Sequence, residues 1–213
     1  MDISAINNTS SANFAGRKLF EVTLYKKAAD GVKKPLQAFV SELTAQDLGR
    51  SDLSIPKWGR TKFGKDILKD FGDYYSPLLF DDTSTIIPGI EYRFFATETP
   101  LGRKQKAVSI AEVKVLDDFI VLDRLQTLVK GKKAKNRVEG AGSSMLYAVV
   151  SLANKLKKKL VSLEAHEKAK GFYKKAGIPL EQRGDCFFYR IYQPQYRDFL
   201  EKTGKKLNIT SVE

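Results

Sequence analysis

Residues 17–27 (RKLFEVTLYKK) set apolar Leu19, Val22 and Leu24 among charged and polar neighbours, an alternation that predicts a strand. Asp30-Gly31 marks a turn after it. From Pro35 the apolar spacing lengthens. Leu36, Phe39, Val40 and Leu43 fall on one helical stripe and Pro35 suits a first helical position, so a helix is expected over 35–47. Pro56 and the lone Trp58 break the stretch 49–59, and a second helix is expected over 62–75. Three β-rich runs follow at 85–97, 106–116 and 119–129, the first beginning near Ile90 because Pro88-Gly89 interrupts it. Their short links predict an antiparallel meander. Beyond the lysine-rich loop 130–136, Leu146, Val149, Val150, Ala153 and Leu156 share one face of a helix over 143–157. A short apolar strand at 160–165, a helix at 167–176 closed by Gly177 and Pro179, and an aromatic strand at 184–193 complete the series. The order reads β, α, α, β, β, β, α, β, α, β. It describes an α/β (α+β) chain whose mixed, mostly antiparallel central sheet is flanked by helices.

At 213 residues the chain suits a single domain over 17–213, with the Ser- and Asn-rich residues 1–16 as a loose arm. An apolar content of 42% provides for a sizeable core. No run approaches the roughly 18 consecutive apolar residues of a spanning helix, so no membrane span is expected. The amino terminus lacks a basic start and an apolar run, and Cys186 is the only cysteine. Both features fit a cytoplasmic protein without disulfides. The weakly charged arm also fits the delivery signal of a secreted effector that acts inside a host cell. A net charge of +12 suits a polyanionic ligand, whether nucleic acid, anionic membrane or phosphorylated cofactor. Charge alone does not choose among them, and many basic proteins bind no nucleic acid.

The candidate chemistry begins in Arg137-Val138-Glu139-Gly140-Ala141-Gly142, directly between a strand and a helix. Glycines let the backbone turn and approach a ligand without a Cβ in the way. The freed N–H groups then meet the positive end of a helix dipole, which makes a pyrophosphate cradle. Arg137 and the lysines at 130, 132, 133 and 135 add charge beside it. The hexapeptide by itself also reads as a plain tight turn. A Walker loop is absent, and a dinucleotide fingerprint would need a small residue where Met145 stands. The second informative stretch is LEAHEKAKGFYKKAGI, residues 163–178. Together the two resemble the paired motifs of the GNAT superfamily of N-acetyltransferases. One motif is Arg/Gln-x-x-Gly-x-Gly/Ala opening a helix. The other is a short strand followed by Asn-x-x-Ala-x-x-Phe-Tyr-x-x-x-Gly-Phe/Ile. The resemblance covers about 119–178, and the spacing from Gly142 to Tyr173 is similar too.

What the resemblance implies is direct, acetyl-CoA-dependent transfer of an acetyl group to an amine of a protein, aminoacyl or small-molecule substrate. It implies that Arg137, Val138, Glu139, Gly140, Ala141, Gly142 and Ser143 hold the CoA pyrophosphate. Leu125, Thr127 and Leu128, at the end of the preceding strand, would pair with the pantetheine arm. Tyr173 would protonate the departing thiolate, to which a phenol of pKa ~10 is well matched. Tyr173 also reads as an aromatic on a core face. His166 stands where the motif has Asn. One ring nitrogen would keep the cofactor bond or move a proton, or the histidine merely opens its helix. Asp123, Glu112 and Glu164 are candidates for the base that takes the amine's proton. Asp123 sits in an otherwise apolar strand, where a carboxylate is costly unless satisfied, so a structural pairing suits it equally. No metal is called for. The many lysines read first as a solvated face, yet a surface this basic also suits contact with RNA, such as an aminoacyl-tRNA, or with an acidic protein. The competing reading is a non-catalytic nucleic-acid-binding module on a degenerate GNAT fold.

Overall fold

A computed structural model of the chain describes residues 17–27, 31–53, 58, 62–76, 86–87, 89–101, 104–127, 138–183 and 186–211. Its strands are β1 (Arg17–Lys27), β2 (Lys33–Leu43), β3 (Glu91–Leu101), β4 (Lys104–Val115), β5 (Phe119–Thr127), β6 (Val138–Glu139), β7 (Leu160–Glu164), β8 (Leu180–Arg183), β9 (Cys186–Tyr192) and β10 (Thr210–Ser211). The helices are α1 (Lys62–Tyr75), α2 (Ala141–Lys155), α3 (Lys170–Lys175) and α4 (Tyr196–Leu207). Among the described residues the strands form one sheet in the order β10-β1-β2-β3-β4-β5-β7-β9-β8, with β6 laid against β1. The β5–β7 pair is parallel and its neighbours β4–β5 and β7–β9 are antiparallel. The expected class holds: a mixed, mostly antiparallel sheet flanked by helices.

Each face of the sheet buries its own helix. On one side Met145, Leu146, Val149 and Val150 of α2 pack on Val40, Phe95, Val113, Leu122 and Val161, with Tyr196 and Leu207 of α4 closing the layer. On the other, Ile67, Leu68 and Phe71 of α1 meet Leu43, Phe94, Ile110 and Trp58. Burial of this kind is worth about 25 cal/mol per Å² of apolar surface, so both helices are held chiefly by their apolar faces. Among the described residues no helix is long and apolar enough to cross a membrane.

The expected helix over 35–47 is instead strand β2 followed by a 3-10 turn, Ala45–Asp47. The reason lies in its neighbours. β2 runs inside the sheet between β1 and β3, and the α2 and α1 layers cover both faces of its carboxyl half. Leu36, Ala38 and Val40 serve the α2 layer while Leu43 serves the α1 layer. A strand apolar on both faces loses its period of two, and the residue spacing then mimics a helical stripe. The aromatic strand expected over 184–193 is the second arm of a β8–β9 hairpin. Helix α4 has no counterpart in the expected order, although Tyr196, Phe199, Leu200 and Leu207 recur at helical spacing.

Candidate functional site

The turn that opens α2 is held from three sides. β6 pairs with β1, Tyr25 opposite Glu139 and Lys26 opposite Val138, and Lys33 Nζ meets Glu139 Oε2 at 2.7 Å. Gly140 then takes φ of 98°, in the left-handed region that favours glycine. A Cβ there would lie 3.1 Å from Leu207 Cδ2 and 3.2 Å from Leu24 Cδ2, so a larger residue would be strained in its backbone and would press on both leucines. From inside, a chain of buried hydroxyls ties the turn to the sheet. Thr97 of β3 and Ser109 of β4 are cross-strand partners. Ser109 Oγ donates to Thr97 Oγ1 at 3.0 Å, Thr97 and Ser144 hydroxyls meet at 2.8 Å, and Ser144 Oγ donates to the Ala141 carbonyl at 2.8 Å. The first-turn amides of Ala141, Gly142 and Ser143 have no intrahelical acceptor and carry the positive end of a 15-residue helix dipole.

Beside this turn the sheet opens. β5 and β7 are paired only as far as Leu122 opposite Leu163. Past that point Ala165 N–H donates to Phe187 O at 2.9 Å, turning the chain toward β9, while β5 continues against β4 to Thr127 opposite Ser109. The second half of β5 therefore presents one backbone edge without a strand partner among the described residues. A cavity of about 520 Å³ occupies the opening. Leu125, Gln126 and Thr127 form one wall, Glu139 to Gly140 with Gly142 and Ser143 the phosphate-turn end, and Phe172 and Tyr173 of α3 the other wall. Val108 joins the lining because it is the extra residue of a bulge, with Thr97 opposite Ser109 and Glu98 opposite Ala107. A Cβ at Gly142 would come within 3.0 Å of Phe172 Cζ, so glycine is what lets the two walls approach here.

Tyr173 is 6% exposed, its ring centroid 4.9 Å from that of Phe172, which it meets edge-on, and 4.9 Å from that of Tyr189, which it meets at a tilt. Removal from water, and secondarily the neighbouring Tyr189, push its phenol up to about 12. It therefore holds its proton throughout the neutral range. Tyr189 is itself tied down, its hydroxyl donating to Lys170 O at 3.3 Å.

Leu125, Thr127, Val138, Glu139, Gly140, Gly142, Ser143 and Tyr173 thus gather around one cavity. Ala141 is buried beneath it and contributes its carbonyl to the hydroxyl chain. Leu128, Arg137 and the loop lysines 130–135 lie outside the described residues. His166 is not in the lining; it is exposed at the N-cap of a 3-10 turn, Nδ1 accepting the Lys168 N–H at 3.5 Å. Asp123 is the extra residue of a β5 bulge, and Lys114 Nζ meets its Oδ1 at 3.1 Å. Glu164 ends β7 one residue past the last β5–β7 pair, exposed and on the sheet face away from Val161 and Leu163. Glu112 is fully buried under α1. Its Oε2 accepts from Arg124 Nη1 at 2.7 Å, Arg124 also binds Asp70, and desolvation raises its carboxyl to about 8. Gln126 falls within the strand end 125–128 expected beside the cofactor, whereas Val108 was not expected in the lining; a bulge is set by strand register, which leaves no mark on the local sequence.

No family's sequence model matches the chain, and no curated protein sequence matches it. Its fold, however, is similar to that of a chain in the KacTA–DNA complex, with a TM-score of 0.51 and 14% identity over 78% of this chain and 99% of the other. Mutant forms of the spermidine/spermine N-acetyltransferase SpeG from Vibrio cholerae align with a TM-score of 0.48 and 12% identity, over 76% of this chain and 98% of that one. The PaiA N-acetyltransferase from Thermoplasma acidophilum, in complex with coenzyme A, aligns with a TM-score of 0.45 and 16% identity, over 73% of this chain and 98% of its own. At such identities the likeness is one of fold alone, and it is shared with the chain of the KacTA–DNA complex.

Proposed function

We propose that this protein is an acetyl-CoA-dependent N-acetyltransferase that passes an acetyl group directly to an amine. One observation carries the reading: a single cavity runs from the Gly140 turn, along the unpaired edge of β5, to the buried phenol of Tyr173. The residues fit the cofactor at each end. The open amides of Ala141 to Ser143 suit a pyrophosphate, because an anion there completes the helix's unsatisfied donors. The bare edge of β5 suits a peptide-like arm that can pair as an extra strand would. A cavity of about 520 Å³ is within the usual range for cofactor sites. Bound there, acetyl-CoA supplies an acetyl group activated as a thioester. Tyr173 holds a proton on its phenol oxygen and is the donor for a leaving thiolate. Glu164, at the fork of β5 and β7 on the opposite sheet face, lies outside the cavity's lining and has no ion-pair partner among the described residues; its exposed carboxylate is our candidate for drawing in a cationic amine and taking its proton. Asp123 is less free to do so, being held by Lys114. A protein or aminoacyl amine is favoured as acceptor over a polyamine, since the field of a +12 chain repels polycations.

The test is thermal unfolding with and without CoA and acetyl-CoA. A ligand that binds only the folded chain raises the melting temperature by mass action, about 2.7 kcal/mol at a hundredfold excess over Kd. Both compounds are expected to stabilise the wild type. Gly142→Leu is expected to melt somewhat below the wild type, because the new side chain pushes on Phe172, and to lose the ligand-induced shift, because that side chain also enters the cavity. A wild type that no CoA compound stabilises removes the cofactor reading and favours the nucleic-acid-binding alternative.

A further inference from the structure

Helix α4 turns two lysines toward the phosphate end of the cavity. Phe199, Lys202, Thr203 and Lys206 are spaced at three and four residues, so they share one face of α4. That face, Lys175 at the end of α3 and Ser143 in the first turn of α2 surround a small recess of about 40 Å³. Ser143 also lines the large cavity, so the recess adjoins the phosphate turn. The backbone turn at Gly177, with φ of 75°, leaves Lys202 Nζ only 3.7 Å from where a Cβ would stand. Lys205, on another face of α4, pairs with Glu201 at 2.5 Å. Lys175, Lys202 and Lys206 have no such carboxylate among the described residues. Three lysines line one recess, and an anion held there is attracted by their combined positive charge. The recess has room for a single phosphate-sized group.

Resting on the cofactor reading above, we propose that Lys175, Lys202 and Lys206 bind the 3′-phosphate of CoA, which makes α4 part of the cofactor site and sets a preference for CoA over 3′-dephospho-CoA. The pyrophosphate belongs to the amides of the α2 turn, and these lysines read the next phosphate along. Lysines suit this task as point charges that need no fixed plane of approach.

Isothermal titration calorimetry with CoA and with 3′-dephospho-CoA tests it. The wild type is expected to bind CoA roughly tenfold or more tightly, a preference that shrinks as salt is raised because the lysines are exposed. Lys202→Gln combined with Lys206→Gln is expected to weaken CoA to the level of dephospho-CoA while leaving dephospho-CoA unchanged. Lys205→Gln, on the other face, keeps the full preference. Equal binding of the two compounds by the wild type, or a preference that survives in the double variant, overturns the proposal and leaves the cofactor reading standing. A wild type that binds neither compound overturns both.

Discussion

At the scale of single residues, Tyr173 is where position and environment agree. Its ring is wedged between Phe172 and Tyr189, and burial lifts the phenol to about 12. Burial keeps the phenol protonated at every working pH, so its proton is available to a departing thiolate, while the same shift makes it a weaker acid than a phenol in water. Tyr173→Phe keeps the ring and deletes only the hydroxyl. Turnover is expected to fall by roughly 10²-fold with acetyl-CoA affinity and melting temperature nearly unchanged. Because the phenol titrates so high, the pH–rate profile of the wild type below pH 10 reports other groups. Full activity in the Phe variant across pH would make Tyr173 a core aromatic only. The glycine turn and the Phe-Tyr pair were legible in the sequence, since each is a local pattern within a few residues. The setting of Asp123 was not, because Lys114 reaches it from the neighbouring strand. The same holds for His166, whose place outside the cavity follows from how α3 docks rather than from its spacing to Tyr173.

At the scale of elements, the meander β3 to β5, the helix over 62–75 and the strand–helix pair after the glycine turn stand close to where periodicity puts them. β2 does not, and its case shows the limit of periodicity: when neighbours cover both faces, the pattern records burial rather than backbone period. The docking of α2 was equally hidden, because it rests on three small polar residues far apart in sequence. Thr97, Ser109 and Ser144 are fully buried, and a hydroxyl chain in such surroundings is stable only when every member is satisfied. Ser144→Ala leaves Thr97 without its 2.8 Å partner and the Ala141 carbonyl with one donor fewer. A loss of about 1–3 kcal/mol is expected, seen by calorimetry as a melting temperature lower by roughly 2–12 °C for a chain of this size. An unchanged melting temperature would mean that water replaces the hydroxyl and that the chain does not anchor the turn.

At the scale of the whole molecule, the α1 face of the sheet holds two ion clusters whose carboxylates are shifted in both senses: Asp52 is lowered, whereas burial raises Glu98 in the same cluster and Glu112 in the other. Arg50 gathers Asp47, Asp52 and Glu98, and although burial works against it, the Arg50 and backbone bonds hold Asp52 below the ordinary carboxylate range. Asp52 therefore stabilises the fold above its unfolded pKa, and that contribution is lost as the solution turns acid. Glu112 behaves the other way. Desolvation, reinforced by Asp70 and Asp123, outweighs Arg124 and raises it from 4.5 to about 8. The folded chain binds this proton more tightly than the unfolded chain does. Its stabilising effect is complete below 4.5 and fades as pH climbs toward 8. Glu112→Gln keeps an acceptor for Arg124 and removes the titration, so the two proteins differ only on this limb. Unfolding curves measured at intervals from pH 5 to pH 8 are expected to diverge, with the Gln variant gaining steadily on the wild type. The acid limb, to which Asp52 contributes, should be common to both. Parallel curves across that range would show that Glu112 is ionised in the folded chain, held by Arg124 against the cost of its burial.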